Sequence, residues 1–352
     1  MLQNPPLMEI SLDERPVIVI WEVTRRCALA CRHCRAVAQP RRDPLELAGE
    51  EAGRALDQVA EAKPAFFILT GGDPASRPDL LQLVRGAASR GLRVAISPSA
   101  TPRLLREDFA EFRRAGVERI SLSLDGATEE THDAFRGVNG TWGWTRQAII
   151  KADAAGLEYQ INTTFSRTNL NEWEAFANII RRMRPKMWSI FLLVPTGRAQ
   201  ADEMLDARET EQLFERMADF QDETGIPVKT TEGPHFRRVV AQRRRGAPVP
   251  WRFAPTNDGR GFVFISHRGD VQPSGFLPIT CGNVRTGNLL DIYRNSHVFR
   301  ALRDSDGFGG KCGYCEYRKI CGGSRARAYS LAGDYLAAEP CCAYEPKRKQ
   351  PL

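Results

Sequence analysis

Cys27, Cys31 and Cys34 stand in the spacing C-x-x-x-C-x-x-C, inside the run Trp21-Glu-Val-Thr-Arg-Arg-Cys-Ala-Leu-Ala-Cys-Arg-His-Cys-Arg35. Three thiolates this close can hold three irons of a 4Fe–4S cluster and leave the fourth iron without a protein ligand. An electron-transfer ferredoxin needs four cysteines per cubane, so an open iron implies that a substrate or cofactor binds there. The competing chemistry is a structural zinc site, which needs four ligands around one ion. The nearest additional donor is His33, wedged between two of the cysteines, where it could not easily share an ion with both. A disulfide is disfavoured because the set is odd in number and nothing marks the chain as secreted.

A second cysteine group follows near the other end: Cys312-x-x-Cys315-x5-Cys321, then the adjacent pair Cys341 and Cys342. Four closed thiolates suit zinc as well as a cubane. One side chain of the adjacent pair must point away from any shared metal body. Cys281 is an alternative ligand or a small buried hydrophobe.

These groups must be carried by a framework. The chain has 352 residues, enough for a full α/β domain and a smaller second one. Apolar strand patterns at 17–20, 65–69, 93–96, 120–124, 158–163 and 187–193 alternate with helical patterns at 47–62, 79–90, 103–115, 142–155, 171–183 and 209–223. Strands spaced by helices predict a parallel sheet with right-handed crossovers. Six such units make an open, partial (β/α)6 TIM-like barrel. Loops at the C-terminal ends of the strands then carry the chemistry, as in complete barrels, and the loop holding Cys27, Cys31 and Cys34 follows the first strand. On strand alternation Ser121, Ser123 and Asp125 share one face, opposite Leu122 and Leu124. Polar side chains facing a barrel lumen imply a polar ligand.

The expected divisions are an N-terminal extension over 1–16, the barrel over 17–229, a linker rich in Arg, Pro and Gly over 230–257, a small α+β domain over 258–346 and a basic tail over 347–352. Phe262–Ser266 and Val271–Pro273 flank His267-Arg-Gly-Asp270, a hairpin signature, and a short helix is predicted over 289–295.

Composition narrows the class. No apolar run approaches the ~18 residues of a membrane helix, and the first residues lack the pattern of an export signal. Nine cysteines without such a signal predict a reducing, cytoplasmic setting. The net charge of +7 is uneven: residues 232–352 hold 20 Lys+Arg against 10 Asp+Glu, and residues 1–231 hold 30 against 33. Such a field suits an anionic small molecule or an acidic partner. Nucleic acid is disfavoured, because no recognised helical or stacking module accompanies the basic residues.

The combination of the cysteine trio with Thr70-Gly-Gly-Asp-Pro74 one strand later resembles the radical S-adenosylmethionine (SAM) superfamily, from Val17 to Tyr344. The resemblance implies that the open iron chelates the amino and carboxylate groups of SAM. It also implies that the segment Gly71, Gly72, Asp73 binds the SAM amino group, with Asp73 replacing the usual Glu. Ser97, Ser123 and Asn162 are the further SAM contacts it suggests; His132-Asp-Ala-Phe-Arg-Gly137 and, less specifically, Val194-Pro-Thr-Gly-Arg198 also match. The later cysteines resemble the SPASM/twitch extension, which implies one auxiliary 4Fe–4S cluster on Cys312, Cys315, Cys321 and Cys342. A full SPASM domain has seven cysteines and two auxiliary clusters; Ser274 stands where one of those cysteines is typical. Gly282-Asn-Val-Arg285 and Cys321-Gly-Gly-Ser-Arg-Ala-Arg-Ala-Tyr329 are similar to the branch of alternative haem-biosynthesis enzymes. An iron porphyrin is then the leading substrate, with Arg325 and Arg327 as candidate carboxylate forks. A ribosomally made peptide is the alternative, and a non-catalytic iron–sulfur or zinc interaction protein is the reading from another class. The implied reaction begins with an electron from a donor such as a flavodoxin or ferredoxin. SAM is cleaved to methionine and a 5′-deoxyadenosyl radical, which abstracts a hydrogen atom from substrate.

Overall fold

The structure, a computed structural model, describes residues 11–244 and 255–347. Ten strands form one sheet: β1 (Ile18–Glu22), β2 (Phe66–Thr70), β3 (Val94–Ile96), β4 (Val117–Ser123), β5 (Glu158–Phe165), β6 (Met187–Leu192), β7 (Val228–Thr231), β8 (Phe262–Ile265), β9 (Asp270–Gln272) and β10 (Gly282–Asn283). The spatial order is β10-β9-β8-β1-β2-β3-β4-β5-β6-β7. Strands β1 to β7 are parallel in sequence order, and β8 joins parallel to the free side of β1, with Ile18 opposite Phe262. Only β9 and β10 run antiparallel to their neighbours. The row does not close, so it is a partial barrel.

Alternation along each strand separates two environments. Val19 and Trp21, Phe67 and Leu69, Ile120 and Leu122, Trp188 and Ile190 are fully buried and point outward into the helical layer. There Trp173, from the helix Trp173–Met183, stacks on Trp188 with centroids 5.2 Å apart. The residues between them, Ile20, Thr70, Ser121, Ser123, Gln160, Asn162 and Ser189, line the lumen. The outer face is apolar and drives assembly; the inner face mixes serines, Gln160 and Asn162 with Ile20, Phe191 and Phe264 and is left for function.

The helices match the sequence pattern, except that the helix Glu129–Arg136 was not expected and one expected helix is divided. The span 103–115 divides into Pro102–Arg106 and Phe109–Ala115. Asp108 starts the second piece by accepting a hydrogen bond from the Ala110 N–H, so a cap interrupts the apolar periodicity. The helix Ala207–Thr224 begins on a capping box between Asp206 and Glu209 and ends at Gly225 in the left-handed region.

The C-terminal segment is less separate than its sequence suggests. Strand β7 runs into the expected linker, and the helix Phe236–Arg243 occupies its first half; residues 245–254 lie outside the described residues. The hairpin β8–β9 extends the barrel sheet, because β8 supplies the edge that β1 needs. The predicted helix over 289–295 is present as Leu289–Asn295, followed by His297–Arg303 and, later, Arg325–Ala332.

Candidate active site and a second cysteine pocket

The loop after β1 folds back on itself: the Cys27 N–H donates to the Gln39 carbonyl, and the Gln39 N–H to the Arg25 carbonyl, both at 2.9 Å. This pins Cys27, Cys31 and Cys34 at the top of the sheet, where all three line one cavity of about 300 Å³. Two neighbouring loops close around this one without room for side chains. A Cβ on Gly71 would stand 2.4 Å from the Thr24 carbonyl oxygen, and one on Gly72 would stand 2.6 Å from those of Arg25 and Arg26. The Gly-Gly pair thus lets the β2 loop lie on the cysteine loop as well as border the cavity. Gly197, with φ of +70°, does the same for the loop after β6: a Cβ there would meet the Cys34 carbonyl oxygen at 2.4 Å.

Burial pushes the Cys27 and Cys31 thiols up, while the Arg136 guanidinium pulls both down. Arg136 is fixed by Asp125 at 3.0 Å and interacts electrostatically with all three cysteines. Thiols of this kind release their protons to a metal body, and a buried cation beside them offsets its negative charge. Three donors from one loop, a cation behind them and a polar cavity in front fit a three-thiolate cluster with one open corner. Among the described residues no three His, Cys, Asp or Glu side chains close on a single point as they would around one lone ion.

The remaining predicted contacts separate into two groups. Gly71, Gly72, Ser97, Ser123 and Asn162 line the same cavity as the cysteines. Asp73 does not. It is buried, and its carboxylate accepts from the Ala75 N–H at 3.1 Å, the Ser99 N–H at 3.2 Å and the Thr101 hydroxyl at 3.4 Å. Burial pushes its pKa up to about 6. Asp125 also turns from the lumen face, accepting from the Thr164 N–H at 2.7 Å as well as from Arg136. Sequence reasoning missed Ser99, whose hydroxyl lies 3.5 Å from the Cys27 sulfur and 3.1 Å from the Gly72 carbonyl oxygen. The available signal was the Ser97-Pro-Ser99 run just past β3.

The far side of the cavity is cationic. Lys229, on β7, has no hydrogen-bond or ion-pair partner among the described residues, and burial pulls its pKa down to about 8, with Arg237 and Arg119 adding to the effect. The Nε and Nη2 atoms of Arg198 are buried without partners. Arg237 has only the carbonyls of Thr256 and Ile320, and burial pulls it down to about 10. Arg35 is already paired with Glu22 at 2.9 Å and lies over the Phe264 ring at 4.6 Å. Glu232 also borders the cavity; burial and neighbouring Asp258 push its carboxyl well above the usual range.

Arg325 and Arg327 are elsewhere, contrary to expectation. Both are fully buried. Arg327 pairs with Glu339 at 2.9 Å, and Arg325 donates to the carbonyls of Ala337 and Tyr335. They bind the chain to itself and do not border the cavity, because helix Arg325–Ala332 turns them inward against the last loop.

The second cysteine group shares a pocket. Cys312, Cys315, Cys321 and Cys342 line one small pocket together with His235, Gly323, Glu339 and Tyr344. Cys341 faces the opposite way, donating to the Leu205 carbonyl at 3.2 Å within a cluster of Leu193, Ala199 and Met204. Cys281 lies apart from the pocket, donating to the Ile279 carbonyl at 3.5 Å and packing on the core. Ser274 borders the large cavity, not this pocket, and its hydroxyl accepts from the Phe276 and Leu277 N–H groups at 3.2 Å. Four thiols around one space fit the donor set of a fully ligated cluster.

Residues 21–180 match the Radical SAM superfamily. With relatives aligned over nearly its whole length, the chain belongs to the radical SAM superfamily and is an enzyme of that class, which works with a 4Fe–4S cluster and SAM. Within it, the chain is 41% identical over 348 residues to the AdoMet-dependent heme synthase of Nitratidesulfovibrio vulgaris, covering 95% of this chain and 94% of the relative. It is 38% identical to the protein of the same description from Methanosarcina barkeri, covering 97% and 100%. Among solved structures, anSMEcpe with bound AdoMet superposes with a TM-score of 0.70 at 16% identity over 93% of this chain and 94% of that one. Streptococcus suis SuiB bound to its precursor peptide SuiA gives 0.69 at 18% identity over 94% and 76%. At these identities the structural likeness speaks for the fold. Among the described residues no helix is long and apolar enough to cross a membrane.

Proposed function

We propose that the chain completes haem by converting propionate side chains of an iron porphyrin to vinyl groups, each with loss of CO2. One observation carries the substrate class: Arg198, two of whose nitrogens are buried without partners, and Lys229, which has no partner among the described residues, border the same cavity as Cys27, Cys31 and Cys34. A desolvated cation without a carboxylate is costly unless a ligand brings one. The near full-length likeness to AdoMet-dependent heme synthases supports the same substrate.

In this reading Cys27, Cys31 and Cys34 hold the cluster that binds SAM, and Gly71, Gly72, Ser97, Ser123 and Asn162 border the SAM site. Bound there, cluster and SAM supply a 5′-deoxyadenosyl radical that takes a hydrogen atom from the propionate carbon next to the ring. Lys229, Arg198 and Arg237 anchor carboxylates. Phe191, Phe264 and Phe276 present apolar surface to the macrocycle along the same cavity. Loss of CO2 after hydrogen abstraction leaves one electron over for each propionate, so turnover needs a one-electron acceptor. Cys312, Cys315, Cys321 and Cys342 would hold a cluster able to supply that acceptor, and a flavodoxin or ferredoxin would provide the priming electron.

The test is anaerobic turnover of reconstituted protein with SAM, a reductant and iron coproporphyrin, followed by mass spectrometry. The expected product is lighter by CO2 and two hydrogens for each propionate converted, with one 5′-deoxyadenosine formed each time. An unchanged porphyrin together with 5′-deoxyadenosine formed only in the presence of a peptide would overturn the reading.

A further inference from the structure

His235 is fully buried, and neither ring nitrogen has a hydrogen-bond partner. It lies at the start of the helix Phe236–Arg243, its ring edge-on to Phe214 with centroids 4.7 Å apart. Packing explains the ring but not two polar atoms inside the protein. An orphaned buried donor is costly, so its partner is expected in the bound state. The imidazole helps wall the pocket lined by Cys312, Cys315, Cys321 and Cys342. Other polar groups of that wall are already used. Glu339 takes Arg327 and the N–H groups of Ser324 and Cys341; Lys311 donates to the Cys342 carbonyl and to Glu345; Arg318 pairs with Asp306. His235 is the wall residue with hydrogen-bonding capacity left over at both polar atoms.

We propose that His235 donates a ring N–H to a sulfur of the auxiliary cluster and thereby sets its reduction potential. A hydrogen bond to a cluster sulfur withdraws negative charge and favours the reduced form. The potential then suits a centre that must accept an electron from substrate. His235 is a positioning and tuning residue, since it touches the cluster and not the reacting carbon. Burial pulls the imidazole down to about 4, so it offers one N–H as a neutral ring.

The inference rests on the four-cysteine pocket holding an iron–sulfur cluster, and the experiment separates the two claims. A full-length protein carrying Cys27→Ala, Cys31→Ala and Cys34→Ala keeps only the auxiliary site. Iron and sulfide analysis of this protein tests the cluster: bound zinc without sulfide removes the cluster itself. With a cubane present, His235→Phe is expected to lower the midpoint potential and to alter the electron paramagnetic resonance spectrum of the reduced form. His235→Gln, which keeps an N–H, should lie between His235→Phe and the parent. Pulsed measurements should show a weakly coupled histidine nitrogen that His235→Phe removes. Equal potentials and spectra in all three proteins, at equal iron content, would overturn the inference and leave the imidazole to an ordered water.

Discussion

Two cysteine sites lie in one molecule and differ in what surrounds them. The amino-terminal trio opens onto a cavity of about 300 Å³ bordered by serines, Asn162, Lys229 and Arg198. The carboxy-terminal four line a much smaller pocket, walled also by His235, Glu339 and Tyr344. The larger cavity has three thiols and room for a ligand beside them, and the smaller pocket has four thiols. In the function proposed above, the first site reacts and the second holds charge.

The sharpest way to break this contrast is to remove one thiol from the open site. Cys31→Ala should abolish 5′-deoxyadenosine formation and about half of the bound iron, while the iron of the four-thiol site remains. Iron quantification and chromatography of turnover mixtures read both effects. SAM cleavage surviving in Cys31→Ala would show that the roles of the two sites are assigned the wrong way round.

The next largest effect distinguishes two adjacent residues. Cys342→Ala should lose the auxiliary cluster and retain the first one. Cys341→Ala should keep both, at a cost of about 1 kcal/mol for a small cavity among Leu193, Ala199 and Met204. Iron content and a thermal melt check the pair. The reverse result would require the chain to turn over at Pro340.

Much of this contrast was legible in the sequence, because local spacing encodes it. The cysteine intervals, the Gly-Gly pair after β2 and the alternation Ser121-Leu-Ser123 all depend on residues near each other in the chain. Family resemblance favoured Cys342 over Cys341, and in the fold Cys342 lines the pocket while Cys341 faces the Leu205 carbonyl. What escaped depends on distant partners. Arg325 and Arg327 carry the same charge as Arg198, yet Glu339 and backbone carbonyls claim the first two and leave Arg198 facing the cavity. Nothing local to Lys229 reveals that no carboxylate will reach it. Likewise β7 is only four residues long, and β8 finds its place through β1, some 240 positions earlier. Asp258 is similar: its Oδ2 accepts from the N–H groups of Arg325 and Ala326 at 3.0 Å, a contact no spacing rule predicts.

A smaller effect tests the anionic side of the open cavity. Lys229→Met should raise the KM for a carboxylate-bearing substrate about tenfold to a hundredfold, the worth of one charge-assisted hydrogen bond. With a pKa near 8, the ammonium is charged below that pH and neutral above it. The parent KM should therefore rise as pH passes upward through about 8, and Lys229→Met should lack that rise. Lys229→Arg, which stays charged, should move the rise to higher pH. A pH series of KM at saturating SAM checks all three, and a KM in Lys229→Met equal to the parent at pH 7 would place the substrate carboxylates elsewhere.

The smallest effect concerns Asp73, which family resemblance assigns to SAM and the geometry assigns to the wall. Its carboxylate already accepts from Ala75, Ser99 and Thr101. Asn at this position keeps one carbonyl oxygen for the two N–H donors and can donate to the Thr101 hydroxyl. Asp73→Asn should therefore leave the KM for SAM within about threefold, with a stability loss of about 1 kcal/mol. A carboxylate contacting the SAM ammonium directly would instead lose a charged hydrogen bond, about tenfold to a hundredfold in affinity. Titration of SAM into the reconstituted variant decides between them. A large loss would mean that Asp73 swings out of the wall when SAM binds, and that the loops around Cys27, Cys31 and Cys34 rearrange with it.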